Sequence, residues 1–393
     1  MIPPRRQAGT AHYRRINRAM FLGGFSAFSL LYMAQPLMPQ FVSEYGITPA
    51  QASYGLSAST AGLAVSLIPA ALWADHVGRR AFMILGLLLC TLISIACAFS
   101  SDFSQFIVLR FFFGCCLSAW PATALAYLAE EIDVKDLGRA VGLYIAGNAM
   151  GGMSGRLLGL MLSQWVHWRW SFAVLGGLCF LLTLMFARAL PESNHFKSNA
   201  HAGGWIKDLT AHLTNPGLLS LFMVAFLLSG TVVSVYNYIS FRLVVPPYSL
   251  TPTMLCGIYA LYLLGMLGSS RLGSLADRKG RAKVLWWTPV LMCLGLILTT
   301  SDGLPLIVVG MGILTFGFFS GHSVASGWVG ARALRGKALA SSLYLTMYYL
   351  GASVVGSAAG WAWGEAAWPG VVLLTGTALT LCLSIALKLR GLP

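Results

Sequence analysis

Arg110 and Arg156 each stand inside a stretch of sequence otherwise free of charge. If those stretches cross a bilayer as helices, a charge at such depth costs about 2.5–3.5 kcal/mol and normally faces a bundle interior or a wet cavity. Arg110 sits roughly six residues, and Arg156 roughly eight, from the same membrane surface, given the length of a bilayer-spanning helix. Two guanidiniums at one level repel if dry. Either they share a hydrated cavity or an anionic group, which the planar fork of arginine suits, or each pairs separately with backbone carbonyls and polar side chains such as Asn148 or Gln35. Snorkelling of Arg110 to the outer interface is a further alternative. Tyr32, Gln35, Asn148, Tyr262 and Tyr348 lie deep enough to orient a solute. Tyr236 and Tyr238, nearer a span end, read as interfacial anchors. His322 is the one deeply placed histidine, and since histidine titrates near neutrality it is either a proton relay or a neutral hydrogen-bonded side chain. The twelve acidic residues all fall at the ends of apolar stretches or between them, so no carboxylate stands mid-membrane to carry a proton or attract an organic cation. No nucleophile–base pair and no metal-ligand spacing occurs, so the chemistry expected is recognition of a polar or anionic solute, with no enzyme activity, metal or cofactor.

The elements that must hold these residues follow from composition. Of 393 residues 57% are hydrophobic and 10% charged, against roughly 25% charged in a soluble domain. The apolar residues form blocks of the roughly 18–25 residues that span a bilayer. Twelve spans are predicted, at about 19–41, 52–73, 82–100, 104–128, 140–164, 170–190, 216–241, 252–275, 283–300, 305–329, 338–362 and 369–388. The net charge of +14 is dispersed in the short polar breaks, which argues for membrane orientation and against nucleic acid. With the N-terminus inside, 22 of the 26 Lys and Arg residues are cytoplasmic, which predicts both termini on that side of a bacterial-type inner membrane. The eight cysteines read as small buried hydrophobes, and the basic start followed by an apolar block as a retained first span with no cleavage pattern.

Two copies of one turn divide the chain. Asp75-His76-Val77-Gly78-Arg79-Arg80 and Asp277-Arg278-Lys279-Gly280-Arg281 are 202 residues apart, each after the second span of its half. The expected organisation is a basic tail (1–18), a six-helix half (19–190), a linker (191–215) and a second six-helix half (216–393), as two parallel repeats. The duplicated turn resembles the G-x-x-x-D-x-x-G-R-[RK] motif of the major facilitator superfamily, matched from Gly273 through Arg281 in the second copy, with Ala71 in place of the leading glycine in the first copy. Arg110-Phe111-Phe112-Phe113-Gly114 resembles the R-x-x-x-G core of a second motif of its proton-coupled exporters. Gly147-Asn148-Ala149-Met150-Gly151-Gly152-Met153-Ser154-Gly155-Arg156 resembles the antiporter pattern G-x-x-x-G-P-x-x-G-G, with Gly152 where proline stands and Arg156 where the last glycine stands. Together with Ala126–Glu131 and Trp168-Arg169-Trp170, these segments look most like the sugar-efflux and inner-membrane transport branch related to drug/proton antiporters.

The resemblance implies an all-α fold of twelve helices in two pseudo-symmetric halves and transport by alternating access. It implies cytoplasmic latches at Asp75, Gly78, Arg79, Asp277, Gly280 and Arg281. Glycines four apart let helices approach closely, so Gly147, Gly151 and Gly155 are expected to pack the fifth span against its counterpart in the other half. The function expected is secondary transport of a small polar or anionic organic solute, outward and in exchange for protons, by a monomer whose partners are solute, protons and membrane lipid. The alternatives are uptake of an organic anion with protons and, from other classes, a channel or a membrane-embedded enzyme.

Overall fold

The computed structural model describes residues 6–193 and 204–391; the Asp75 side chain, and with it that part of the first turn motif, lies outside the described residues, as does Lys197. The described residues are helical with short connections. In order, the membrane-length segments are Ala11–Tyr45, Pro49–Val77, Arg79–Cys97, Phe103–Glu131, Val134–Trp165, Trp168–Ala189, Pro216–Leu243, Pro252–Lys279, Arg281–Leu298, Leu304–Arg332 and the two spans of Lys337–Leu389. The last pair is divided by non-helical backbone at Ala366 and Ala367. A short helix, Trp205–Thr214, precedes the seventh span. The first helix begins at Ala11, so Arg14, Arg15 and Arg18 ride on its opening turns, upstream of the span start expected from hydropathy.

Proline chemistry explains the breaks in the first, fourth and ninth spans. Lacking an N–H, proline at position i leaves the carbonyl at i−4 without its helical donor. Helical segments end at Tyr32, Leu117 and Leu285, four residues before Pro36, Pro121 and Pro289. At the last of these the Thr288 hydroxyl donates to the Leu285 carbonyl at 2.8 Å in place of the missing amide. Pro69 lies within an unbroken helix.

By contact the chain divides into two compact units, Met1–Leu37 with Ala61–Gly203, and Met38–Thr60 with Gly204–Pro393. In the first unit the closest packing joins the first and fifth spans. A Cβ on Gly147 would lie 2.9 Å from the Phe21 Cα, one on Gly151 2.7 Å from the Phe25 Cα, and one on Gly155 2.6 Å from the Ser29 Cα. The glycine face therefore meets the first span of its own unit; the partner in the other half expected from the sequence is corrected here. Glycine spacing encodes a close approach but carries no information on which helix approaches. The second unit repeats the arrangement, with Gly351 of the eleventh span placing a Cβ 2.7 Å from the Phe226 Cα of the seventh.

The duplicated turns are alike in backbone. Gly78 has φ 91°, ψ 137° and Gly280 φ 93°, ψ 134°, a region essentially reserved for glycine. A Cβ at Gly280 meets no atom within 4 Å, so the cost of Gly280→Ala is backbone strain alone, about 1–3 kcal/mol. A lowered thermal midpoint in detergent is expected for this variant, and an unchanged midpoint would show that the turn has no glycine requirement.

Candidate functional site

The break in the first span is the centre of the site in the first unit, and an arginine grips it on either side. Arg110, fully buried, donates from its two terminal nitrogens to the carbonyls of Leu30 at 3.0 Å and Leu31 at 2.7 Å. These carbonyls close the helical segment that ends at Tyr32, where the helix dipole is negative and a cation is favoured. The guanidinium also lies 4.5 Å from the centre of the Phe113 ring, within cation–π range.

Arg156, 1% exposed, reaches the same break from the fifth span. Its Nε donates to Gln35 Oε1 at 2.7 Å and a terminal nitrogen to the Gly152 carbonyl at 2.8 Å. The guanidinium carbon stands 3.9 Å from the centre of the Tyr32 ring, within cation–π range. A Cβ on Gly152 would come within 3.4 Å of the guanidinium and 3.3 Å of the Tyr32 ring. The two departures from the antiporter pattern are thus one structural feature: glycine at 152 leaves room for arginine at 156. Arg156, Gln35 and Tyr32 form a pre-oriented cationic group. Asn148 is placed elsewhere; its Oδ1 accepts from Trp120 Nε1 at 3.1 Å.

In the second unit the remaining sequence candidates fall on one aromatic chain. Tyr262 lies 4.6 Å from Tyr236 and 5.6 Å from Phe319 between ring centres. Phe319 meets Phe318 at 5.1 Å, and Phe318 stacks on His322, whose ring is 4.9 Å from Tyr348. His322 Nδ1 is 3.1 Å from the Tyr344 hydroxyl. Tyr236, set aside as an interfacial anchor, is fully buried and shares a 2.7 Å hydrogen bond with Thr315. The seventh span runs on to Leu243.

At the turns, Arg79 pairs with Glu130 at 2.7 Å, both side chains largely buried, whereas Arg281 pairs with Asp277 at 3.3 Å on an exposed surface and donates to the Gly327 carbonyl at 2.7 Å. Exposed pairs contribute about 0–1 kcal/mol, while removing one partner of a desolvated charged hydrogen bond costs about 1–3 kcal/mol. Glu130→Gln is expected to lower the thermal midpoint more than Asp277→Asn; equal shifts would contradict the difference in burial.

A second pair of arginines escaped the sequence reading. Arg169 donates to the carbonyls of Ala98 at 3.3 Å and Ser100 at 2.5 Å, and Arg242 donates to those of Thr299 and of Ser301, the latter at 2.8 Å. Each guanidinium lies by a buried tryptophan, Trp168 or Trp368. Both staples tie the turn before the fourth or tenth span, at the end opposite Gly78 and Gly280. The half-length separation of Trp168 and Trp368 is the signal that could have found them.

Twelve bilayer-length helices, a duplicated turn and a buried cationic site describe a multi-pass carrier of small molecules. The model of the Major Facilitator Superfamily matches residues 20–354, and the chain belongs to that family of secondary transporters, which are not enzymes. It is similar to the uncharacterized MFS-type transporter YybF of Bacillus subtilis, 40% identical over 98% of this chain and 94% of the relative. It is also similar to the inner membrane transport protein YnfM of Escherichia coli, 36% identical over 97% and 92%, and more distantly to the multidrug resistance protein MdtG of Salmonella arizonae, 26% identical over 70% of each. Among solved structures, a bacterial homologue of the human lysosomal transporter Spinster superposes with TM-score 0.79 at 13% identity, covering 98% of both chains. The nucleoside transporter NupG superposes with TM-score 0.78 at 14% identity, over 96% of this chain and 99% of that one. These likenesses establish the twelve-helix fold.

Proposed function

We propose that this transporter carries a small polar or anionic organic solute outward across the bacterial inner membrane by alternating access, in exchange for protons. The observation that carries the reading is Arg156, a buried guanidinium held by Gln35, the Gly152 carbonyl and the Tyr32 ring, in a chain whose acidic residues all lie at span ends or in connections. A fixed buried guanidinium favours an anionic or strongly polar group and disfavours an organic cation. The name of YnfM supports the inner membrane, and that of MdtG supports outward transport. In this reading Arg156, Tyr32 and Gln35 receive the solute and Arg110 holds the broken helix that presents them. His322, Tyr348 and Tyr262 serve proton exchange and solute contact in the second unit. Asn148 acts by fixing Trp120, and the two glycine turns with their arginines act as cytoplasmic latches, with both chain termini on that side.

Inside-out vesicles given an acidic interior test direction and coupling together. The solute is expected to accumulate and to dissipate the pH gradient, and His322→Gln is expected to abolish that accumulation while solute counterflow persists. Accumulation in right-side-out vesicles driven by an acidic exterior would replace antiport with uptake symport.

A further inference from the structure

A cavity of about 760 Å³ opens in the second unit at the end opposite Gly280, lined by Arg242, Tyr248, Asp302, Trp363, Trp368 and Leu373 among others. It plays no part in the transport reading above, and its chemistry is mixed in an ordered way. Arg242 is fixed by neutral oxygens, the Thr299 carbonyl, the Ser301 carbonyl at 2.8 Å and the Tyr248 hydroxyl at 3.2 Å. Its charge is not neutralised by these partners. Tyr248 in turn donates to the backbone carbonyl of Asp302 at 3.0 Å, and Asp302, an exposed acidic residue, lines the same cavity. The remaining walls are aromatic and aliphatic. Leu373, 74% exposed, stands on the last membrane-spanning helix, where lipid is the solvent, and Val245, 49% exposed, in the bend that follows the seventh.

A cation, an anion and an apolar exit toward the acyl region match one kind of molecule. We infer that this cavity binds a membrane phospholipid with a zwitterionic amine headgroup, its phosphate on Arg242, its ammonium on Asp302 and an acyl chain leaving past Leu373. Tryptophans at such a depth are suited to this boundary, with an apolar face and a polar edge; Trp368 donates its Nε1–H to the Thr299 carbonyl at 3.1 Å, which fixes the ring as a wall. A purely anionic headgroup would meet Asp302 unfavourably. A soluble anion would leave the apolar wall unused.

The test is thermal unfolding and native mass spectrometry of the full-length protein in detergent, with added phosphatidylethanolamine, phosphatidylglycerol or inorganic phosphate. Phosphatidylethanolamine is expected to raise the midpoint and remain bound in preference to phosphatidylglycerol. Asp302→Asn, an exposed change that keeps the backbone contact to Tyr248, should weaken that lipid about threefold or more, the scale of a solvent-reachable ion pair, and so erase the preference. Leu373→Glu, at the mouth, should weaken both lipids. Equal stabilisation by the two lipids, an unaltered preference in Asp302→Asn, or stabilisation by inorganic phosphate alone would each overturn the assignment.

Discussion

Gly155→Leu is expected to yield no correctly assembled first unit. The ideal Cβ at this position points at the Ser29 carbonyl and lies 2.6 Å from its Cα and 2.7 Å from its carbonyl carbon. The obstacle is backbone, which cannot rotate aside as a side chain can. Ser29 also donates its hydroxyl to the Gly151 carbonyl at 3.0 Å, so pushing the helices apart breaks a buried hydrogen bond as well as the run of contacts at Gly147 and Gly151. Even alanine should cost about 1–3 kcal/mol by overpacking. Leucine needs a separation that a packed helix pair cannot supply locally. Gly142 on the same span is the matched control, since a Cβ there meets nothing within 4 Å. Gly142→Ala should fold normally and gain up to about 1 kcal/mol from helix propensity. Size-exclusion profiles of the two variants in detergent separate the cases: aggregation of the Gly155 variant beside a monodisperse Gly142 variant is the expected result.

Arg156→Ala is expected to abolish solute transport in protein that still reaches the membrane. The substitution removes the guanidinium from Gln35 and from the Tyr32 ring, leaving Gln35 buried with one fewer partner. Truncating one member of a desolvated, hydrogen-bonded charge pair costs about 2–5 kcal/mol of binding, which takes a micromolar solute out of working range. Arg156→Lys should not rescue, because an ammonium cannot lie flat on Tyr32 while donating in two directions to Gln35 and Gly152. Tyr32→Phe keeps the ring face and should transport nearly normally, whereas Tyr32→Leu should not. Normal transport by Arg156→Ala in proteoliposomes would remove the residue from the site.

Much of this was legible in the sequence because the bilayer imposes one-dimensional rules. Span length and the scarcity of charge predict the twelve helices, and the isolated Arg110 and Arg156 mark the buried positions. Their partners were less legible. Both alternatives for the arginine pair were open from sequence, and the described contacts run to separate carbonyls and side chains on the two sides of one helix break. That break became interpretable only once Pro36 could be seen to free the end of the helix at Tyr32. The helix that meets the glycine face was not legible because a residue's spacing says which face it occupies and not which neighbour packs there. Tyr236, near a span end, reads as an interfacial anchor because spacing does not show that its hydroxyl meets Thr315 on another helix inside the unit. Arg169 and Arg242 stand outside the cytoplasmic set of basic residues, at the opposite ends of spans; their role as staples depends on carbonyls from turns some 60–70 residues away.

The central claim is that the Arg156 site selects a polar or anionic solute, and a ligand screen by thermal shift tests it most directly. Purified wild type and Arg156→Gln are compared against carboxylates, sugars, siderophores and organic cations, since a ligand that binds the folded state raises the midpoint by mass action. Stabilisation of the wild type by anionic or polar compounds, lost in Arg156→Gln, is the result this account predicts. A set of stabilising ligands dominated by organic cations, or one that Arg156→Gln binds unchanged, would contradict it.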